Sequence, residues 1–177
     1  MGEAAEQPLS VLVVGVSGSG KSTVGSAVAR RLGLPFLEGD DIHPAANIAK
    51  MRAGHALDDV DRAAWLDAIA DRLRRSAAAG EGLVVACSAL RRSYRDVLRA
   101  AAPALRCICL ALDRDTARER VAGRTGHFMP AGLVDSQFAA LQPLEPDEPG
   151  VTLDAATDLP DLLAQAQEAA ESMGGAT

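Results

Sequence analysis

The sequence predicts an α/β fold in which about five parallel strands lie between helices on both faces, and three observations lead there. Short apolar runs rich in Val, Ile and Leu recur along the chain, as in strands buried on both faces of a parallel sheet. Stretches with apolar residues three and four apart separate those runs, the period of helices that bury one face. The first apolar run leads directly into a Gly-rich loop and then into a helical pattern.

Taken in order, Leu9 to Gly15 (LSVLVVG) is the first strand, and Val24, Val28 and Leu32 mark the next helix, closed by Gly33. A weaker run, Pro35 to Glu38, is the second strand, and Pro44 suits the first turn of a helix. Trp65, Leu66, Ile69, Ala70 and Leu73 share one face of a helix that follows the acidic Asp58-Asp59-Val60-Asp61 start. Leu83 to Ser88 (LVVACS) and Leu105 to Leu112 (LRCICLAL) are further buried strands. After them, Asp113 or Asp115, followed by Thr116-x-x-Glu119, reads as a helix cap rather than a metal ligand. A Pro-rich stretch, Pro143 to Gly150, precedes a last weak strand, Val151 to Asp154. At 177 residues the chain is expected to form one domain, with disordered ends at about 1–7 and 174–177.

Composition excludes several functions. Aromatic residues make up only 3%, too few for a base-stacking platform, and a net charge of −6 does not suit phosphate-backbone binding. No nucleic-acid partner is expected. No run approaches the ~18 apolar residues of a membrane span, so no membrane is expected either. The acidic beginning lacks the basic segment of a secretory signal, and Glu6 stands where a myristoylation motif needs Ser or Thr. The three cysteines form an odd set, with Cys107 and Cys109 in an apolar strand, and read as buried thiols of a cytoplasmic protein.

Gly15-Val16-Ser17-Gly18-Ser19-Gly20-Lys21-Ser22 matches G-x-x-x-x-G-K-[ST] at every fixed position. Such a loop turns successive N–H groups inward around phosphate oxygens at the positive end of the following helix. Lys21 adds charge near the β/γ-phosphates, the Ser22 hydroxyl suits Mg²⁺, and Thr23 completes the motif. The expected ligand is a nucleoside triphosphate with its metal. No [NT]-K-x-D motif for reading guanine is present, and LVVACS ends without the acid that usually assists the metal. Beyond the second strand, Glu38-Gly39-Asp40-Asp41-Ile42-His43 puts carboxylates and an imidazole at the strand end that faces the crevice.

Here the sequence resembles the gluconokinase family, a branch of the P-loop small-molecule kinases. The likeness is carried by GVSGSGKST (15–23), GDDIHPAANIAKM (39–51), LDDVDRAAWL (57–66), CSALRRSYRDVLR (87–99) and GRTGHFMPAGLVDSQFAALQPLEPDE (123–148). It implies a three-layer P-loop kinase fold with a small mobile lid at about 120–135, and transfer of phosphate from ATP to the 6-hydroxyl of D-gluconate. It also implies Mg²⁺ and a homodimer. Asp40 matches the family's base position, and Glu38 the position that reaches the metal through water. His43, Lys50, Arg52, Arg91, Arg92 and Arg95 are candidates for holding an anionic, hydroxylated substrate. Arg120 and Arg124 stand at the start of the lid, before Thr125-Gly126-His127-Phe128, and suit the phosphates, and His127 suits either substrate or lid. Gln137, Gln142 and Glu145 read as groups that hold lid helix and loop in register, while Phe138, Leu141 and Leu144 read as core. Two alternatives stay open: another small-acid kinase resembling shikimate kinase, and a nucleotide-binding regulator without catalysis.

Overall fold

The computed structural model describes residues 7–124 and 130–175. Five parallel strands, β1 (Ser10–Gly15), β2 (Phe36–Glu38), β3 (Val84–Cys87), β4 (Leu105–Ala111) and β5 (Gly150–Asp154), form one sheet in the order β2-β3-β1-β4-β5. The strongest apolar runs take the middle of the sheet. Val11 pairs in register with Val84 on one side and Arg106 on the other, and β1 and β3 are buried along their whole lengths. The weaker runs form the two edges, where less apolar surface has to be covered.

The helices are α1 (Lys21–Leu32), α2 (Ala45–Arg52), α3 (Asp59–Ala78), α4 (Arg92–Ala101), α5 (Arg114–Ala122), α6 (Ala131–Ala140) and α7 (Leu159–Gly174), and a 3₁₀ turn spans Gly39–Ile42. The chain runs outward from β1 to β2, then back through β3 to β4 and β5. Right-handed crossovers therefore place α1 on one face and the helices of the β2-to-β3 and β3-to-β4 connections on the other. In agreement, α1 packs with α7, and α3 packs with α4.

Local chemistry sets the helix ends. Asp58 and Asp61 form a reciprocal capping box: each carboxylate accepts the other residue's backbone N–H at 2.9 Å. Asp113 caps α5 by accepting the Thr116 N–H at 2.9 Å, so its carboxylate does the capping work that the sequence assigned to it. Trp65, Leu66, Ile69, Ala70 and Leu73 are buried together on α3. The helix α7 runs through Gly174, one residue into the tail expected to be disordered; residues 1–6 and 176–177 of the expected ends lie outside the described residues.

Candidate active site

The phosphate-type loop lies between β1 and α1, at the end of the sheet where the crevice opens. Gly18 (φ +84°) and Gly20 (φ +90°) hold left-handed backbone that other residues adopt at a cost, which makes the tight turn into α1 possible. Gly20 caps α1 with no side-chain acceptor, so the first N–H groups of the helix stay available. Lys21 lies buried beneath the loop, its Nζ donating to the Val16 carbonyl at 3.0 Å. Burial holds its ammonium below the ordinary lysine range, while the charges of Asp40, Cys87 and Glu38 pull the other way and Arg124 adds to the lowering. The Ser19 hydroxyl is buried and has no partner among the described residues. A buried cation, an unpaired hydroxyl and a free helix N-terminus fit the phosphates of a nucleotide.

Neighbouring helices fix the loop. The Ser17 N–H donates to Gln137 Oε1 of α6 at 2.7 Å, and Arg120 Nη1 of α5 donates to the Gly18 carbonyl at 3.3 Å. Ser22 and Thr23 are exposed and Glu38 is half-buried. Burial pushes the Cys87 thiol at the end of β3 up to about 12, which makes it an inert packing group rather than a nucleophile.

The acceptor side is built on the 3₁₀ turn after β2. Gly39 lies so close to β3 that a Cβ there would stand 2.6 Å from Cys87 Cβ and 2.8 Å from the Ala86 carbonyl, so only glycine brings the turn against the strand end. The indole Nε1–H of Trp65 donates to the Gly39 carbonyl at 2.8 Å, and His43 stacks on the same indole at 4.4 Å between centroids. His43 Nε2 lies 3.9 Å from Asp40 Oδ1, and Nδ1 is buried without a partner among the described residues. Burial lowers the imidazole below 6.5 against the opposing pull of Asp40, so His43 is neutral near pH 7 and the contact is not an ion pair. A cavity of about 370 Å³ opens above this platform and joins Ser17 of the loop to Asp40, His43, Arg52 and Arg62.

The phosphate-type loop and the acidic turn share one cavity, lined by Ser17 of the loop and by Asp40 and Asp41 of the turn. A family model described as "AAA domain" matches residues 11–144. A gluconokinase from Gluconobacter oxydans is 46% identical over 143 residues, 81% of this chain and 80% of that protein. The thermosensitive gluconokinase of Escherichia coli is 40% identical over 161 residues, 90% of this chain and 86% of that protein. The chain belongs to the gluconokinase family. A crystal structure of a gluconokinase from Sinorhizobium meliloti 1021 superposes with a TM-score of 0.85 at 43% identity, covering 96% of this chain and 95% of that one.

Within this gluconokinase-family chain, the arginines expected at the substrate divide. Arg52 lines the cavity, but Arg91, Arg92 and Arg95 do not. Acids distant in sequence fold back onto α4 and engage those three. Arg91 pairs with Asp59 at 3.2 Å. Arg92 donates to Asp147 at 2.8 and 2.9 Å, to Glu145 at 2.9 Å and to Asp96 at 3.1 Å. Arg95 is fully buried, with Nε and Nη2 on Glu148 at 2.8 and 2.7 Å and Nη1 on the carbonyls of Ala89, Leu90 and Gln142. Lys50 is likewise taken, by Asp61 and, at 3.6 Å, Asp58.

Gln137 joins α6 to the loop as read from the sequence, whereas Gln142, whose Oε1 accepts the Arg92 N–H at 2.6 Å, and Glu145 tie their segment to α4 instead. Arg124 is exposed at the last described position before 125–129, and His127 lies outside the described residues. Asp41, Arg62 and Ser88 line the cavity although sequence reasoning did not select them. Arg62 stood inside the quoted LDDVDRAAWL motif, whose Trp65 drew attention only as a core residue.

Proposed function

We propose that the chain transfers the terminal phosphate of ATP to the 6-hydroxyl of D-gluconate, within one kinase domain. The cavity that joins Ser17 to Asp40 carries this reading, because one space is lined both by the phosphate-type loop and by a carboxylate. The loop 15–23, with Lys21 and the Ser19 hydroxyl, holds the phosphates, and Arg120 and Arg124 approach them from α5. Mg²⁺ would supply charge neutralisation when bound; the Ser22 hydroxyl would hold it directly and Glu38 through water. Asp40 orients the acceptor hydroxyl and takes its proton as the new P–O bond forms, and no phosphoenzyme is needed. Neutral His43 and Arg52 bind along the sugar acid.

The lid expected at about 120–135 stays part of this reading, with residues 125–129 of it outside the described residues. The family likeness also supports a cytoplasmic homodimer, which sedimentation measures directly. A panel of sugar acids assayed by coupled ADP release tests the activity. Turnover of gluconate is expected. Turnover of shikimate with none of gluconate overturns the reading, and turnover of no acid favours a silent nucleotide-binding regulator.

A further inference from the structure

Two guanidinium groups, Arg52 and Arg62, line the cavity with no carboxylate partner among the described residues. Their settings differ. Arg52 is exposed at the last residue of α2 and makes no hydrogen bond to the described residues. Arg62 is half-buried and fixed: its Nε–H donates to the Leu57 carbonyl at 3.3 Å, and its guanidinium carbon lies 5.7 Å from the Tyr94 ring centroid. Tyr94 is itself held, its hydroxyl donating to Asp59, which pairs with Arg91 at 3.2 Å. With Nε occupied, the two Nη groups of Arg62 remain as a planar fork suited to two parallel hydrogen bonds with one carboxylate.

We propose that Arg62 is the receptor for the substrate's carboxylate and so determines selection of an acid over a neutral polyol, an inference that rests on the reading of the chain as a gluconate kinase. Asp40 and Asp41 line the same cavity and repel an anion. A sugar acid therefore binds with its carboxylate on Arg62 and its distal hydroxyl toward Asp40, the orientation that transfer to the far end of the chain requires. Because packing already fixes the guanidinium, little side-chain freedom is lost on binding, unlike at exposed Arg52.

Trp65, the single tryptophan, stacks on cavity-lining His43, so its fluorescence reports binding apart from turnover. The test compares the full-length wild type with Arg62→Met, Arg62→Lys and Arg52→Met, using D-gluconate and the neutral D-glucitol as probes, with melting curves as folding controls. Arg62→Met is expected to weaken gluconate binding and raise its KM about 10- to 100-fold, with the KM for ATP and the weak binding of glucitol unchanged. Arg62→Lys, which keeps the charge but not the fork, is expected to fall between, and it decides alone if the methionine variant does not fold. Unchanged gluconate affinity, an equal loss for glucitol, a loss carried by Arg52→Met instead, or an effect confined to ATP each overturns the proposal. If the wild type binds gluconate through Arg62 without phosphorylating it, the kinase reading falls and the receptor stands. If it turns gluconate over and Arg62→Met is silent, the reverse holds.

Discussion

Asp40 carries the chemical step in the proposed reaction, and its setting shows why a single atom matters there. The carboxylate projects from a 3₁₀ turn into the cavity, 3.9 Å from His43 and largely open to the space a hydroxyl would enter. Asp40→Asn keeps the shape and removes the proton acceptor. The expected outcome is a fall in kcat of about 10²-fold or more with ATP affinity retained, checked by steady-state kinetics and a nucleotide titration. An unchanged kcat removes Asp40 from the role. Cys87, beside it in the fold, is expected to stay unreactive toward thiol reagents in the folded protein, because burial holds its thiol up at about 12.

At the scale of elements, the site depends on a short turn being clamped. Trp65 of α3 donates to the Gly39 carbonyl at 2.8 Å and supports His43 by stacking, so one indole fixes the acidic turn against the sheet. Trp65→Phe keeps a ring but leaves that carbonyl unpaired, at a cost of about 1–3 kcal/mol. Misplacement of Asp40 is then expected to lower kcat about ten- to a hundredfold while ATP binding holds, a split visible in kinetics against equilibrium dialysis. The helix α5 is the second positioning element: Arg120 touches the loop at the Gly18 carbonyl, and Arg124 follows the end of the helix. Arg124→Ala is expected chiefly to lower kcat, by up to about 10³-fold for an arginine that meets charge developing in the transition state. A change confined to the gluconate KM would instead assign Arg124 to the acceptor.

For the whole molecule, the buried pair Arg95–Glu148 ties α4 to the segment before β5 and so closes the core beneath β4. Burial alone would raise the Glu148 carboxyl, but hydrogen bonds from Arg95, the Glu145 backbone and Arg99 outweigh it and hold the group at about 2. Because this folded value lies below the ordinary 4.5, the stabilisation is complete above about pH 4.5 and is lost as pH falls toward 2. Glu148→Gln leaves Arg95 as an uncompensated buried charge and is expected to cost about 3–5 kcal/mol, read from urea unfolding at pH 7. Its stability should also vary less with pH between 4.5 and 2 than that of the wild type.

The division between what sequence and fold each decide follows from the range of the interactions. Val-rich runs, the glycine pattern of the loop, the Asp58 and Asp113 caps and the apolar face of α3 are local, and a local pattern carries its own physical reason. By itself the sequence therefore determined the parallel sheet, the phosphate-type loop and the acidic turn beside it. Which arginines line the cavity was not local. Arg91, Arg92 and Arg95 are alike as letters to Arg52 and Arg62, and only the return of Asp59, Asp147 and Glu148 to α4 in space neutralises the first three. Charge pairing depends on distances that close only when the chain folds, so the tertiary structure alone left Arg52 and Arg62 in the cavity without carboxylate partners among the described residues.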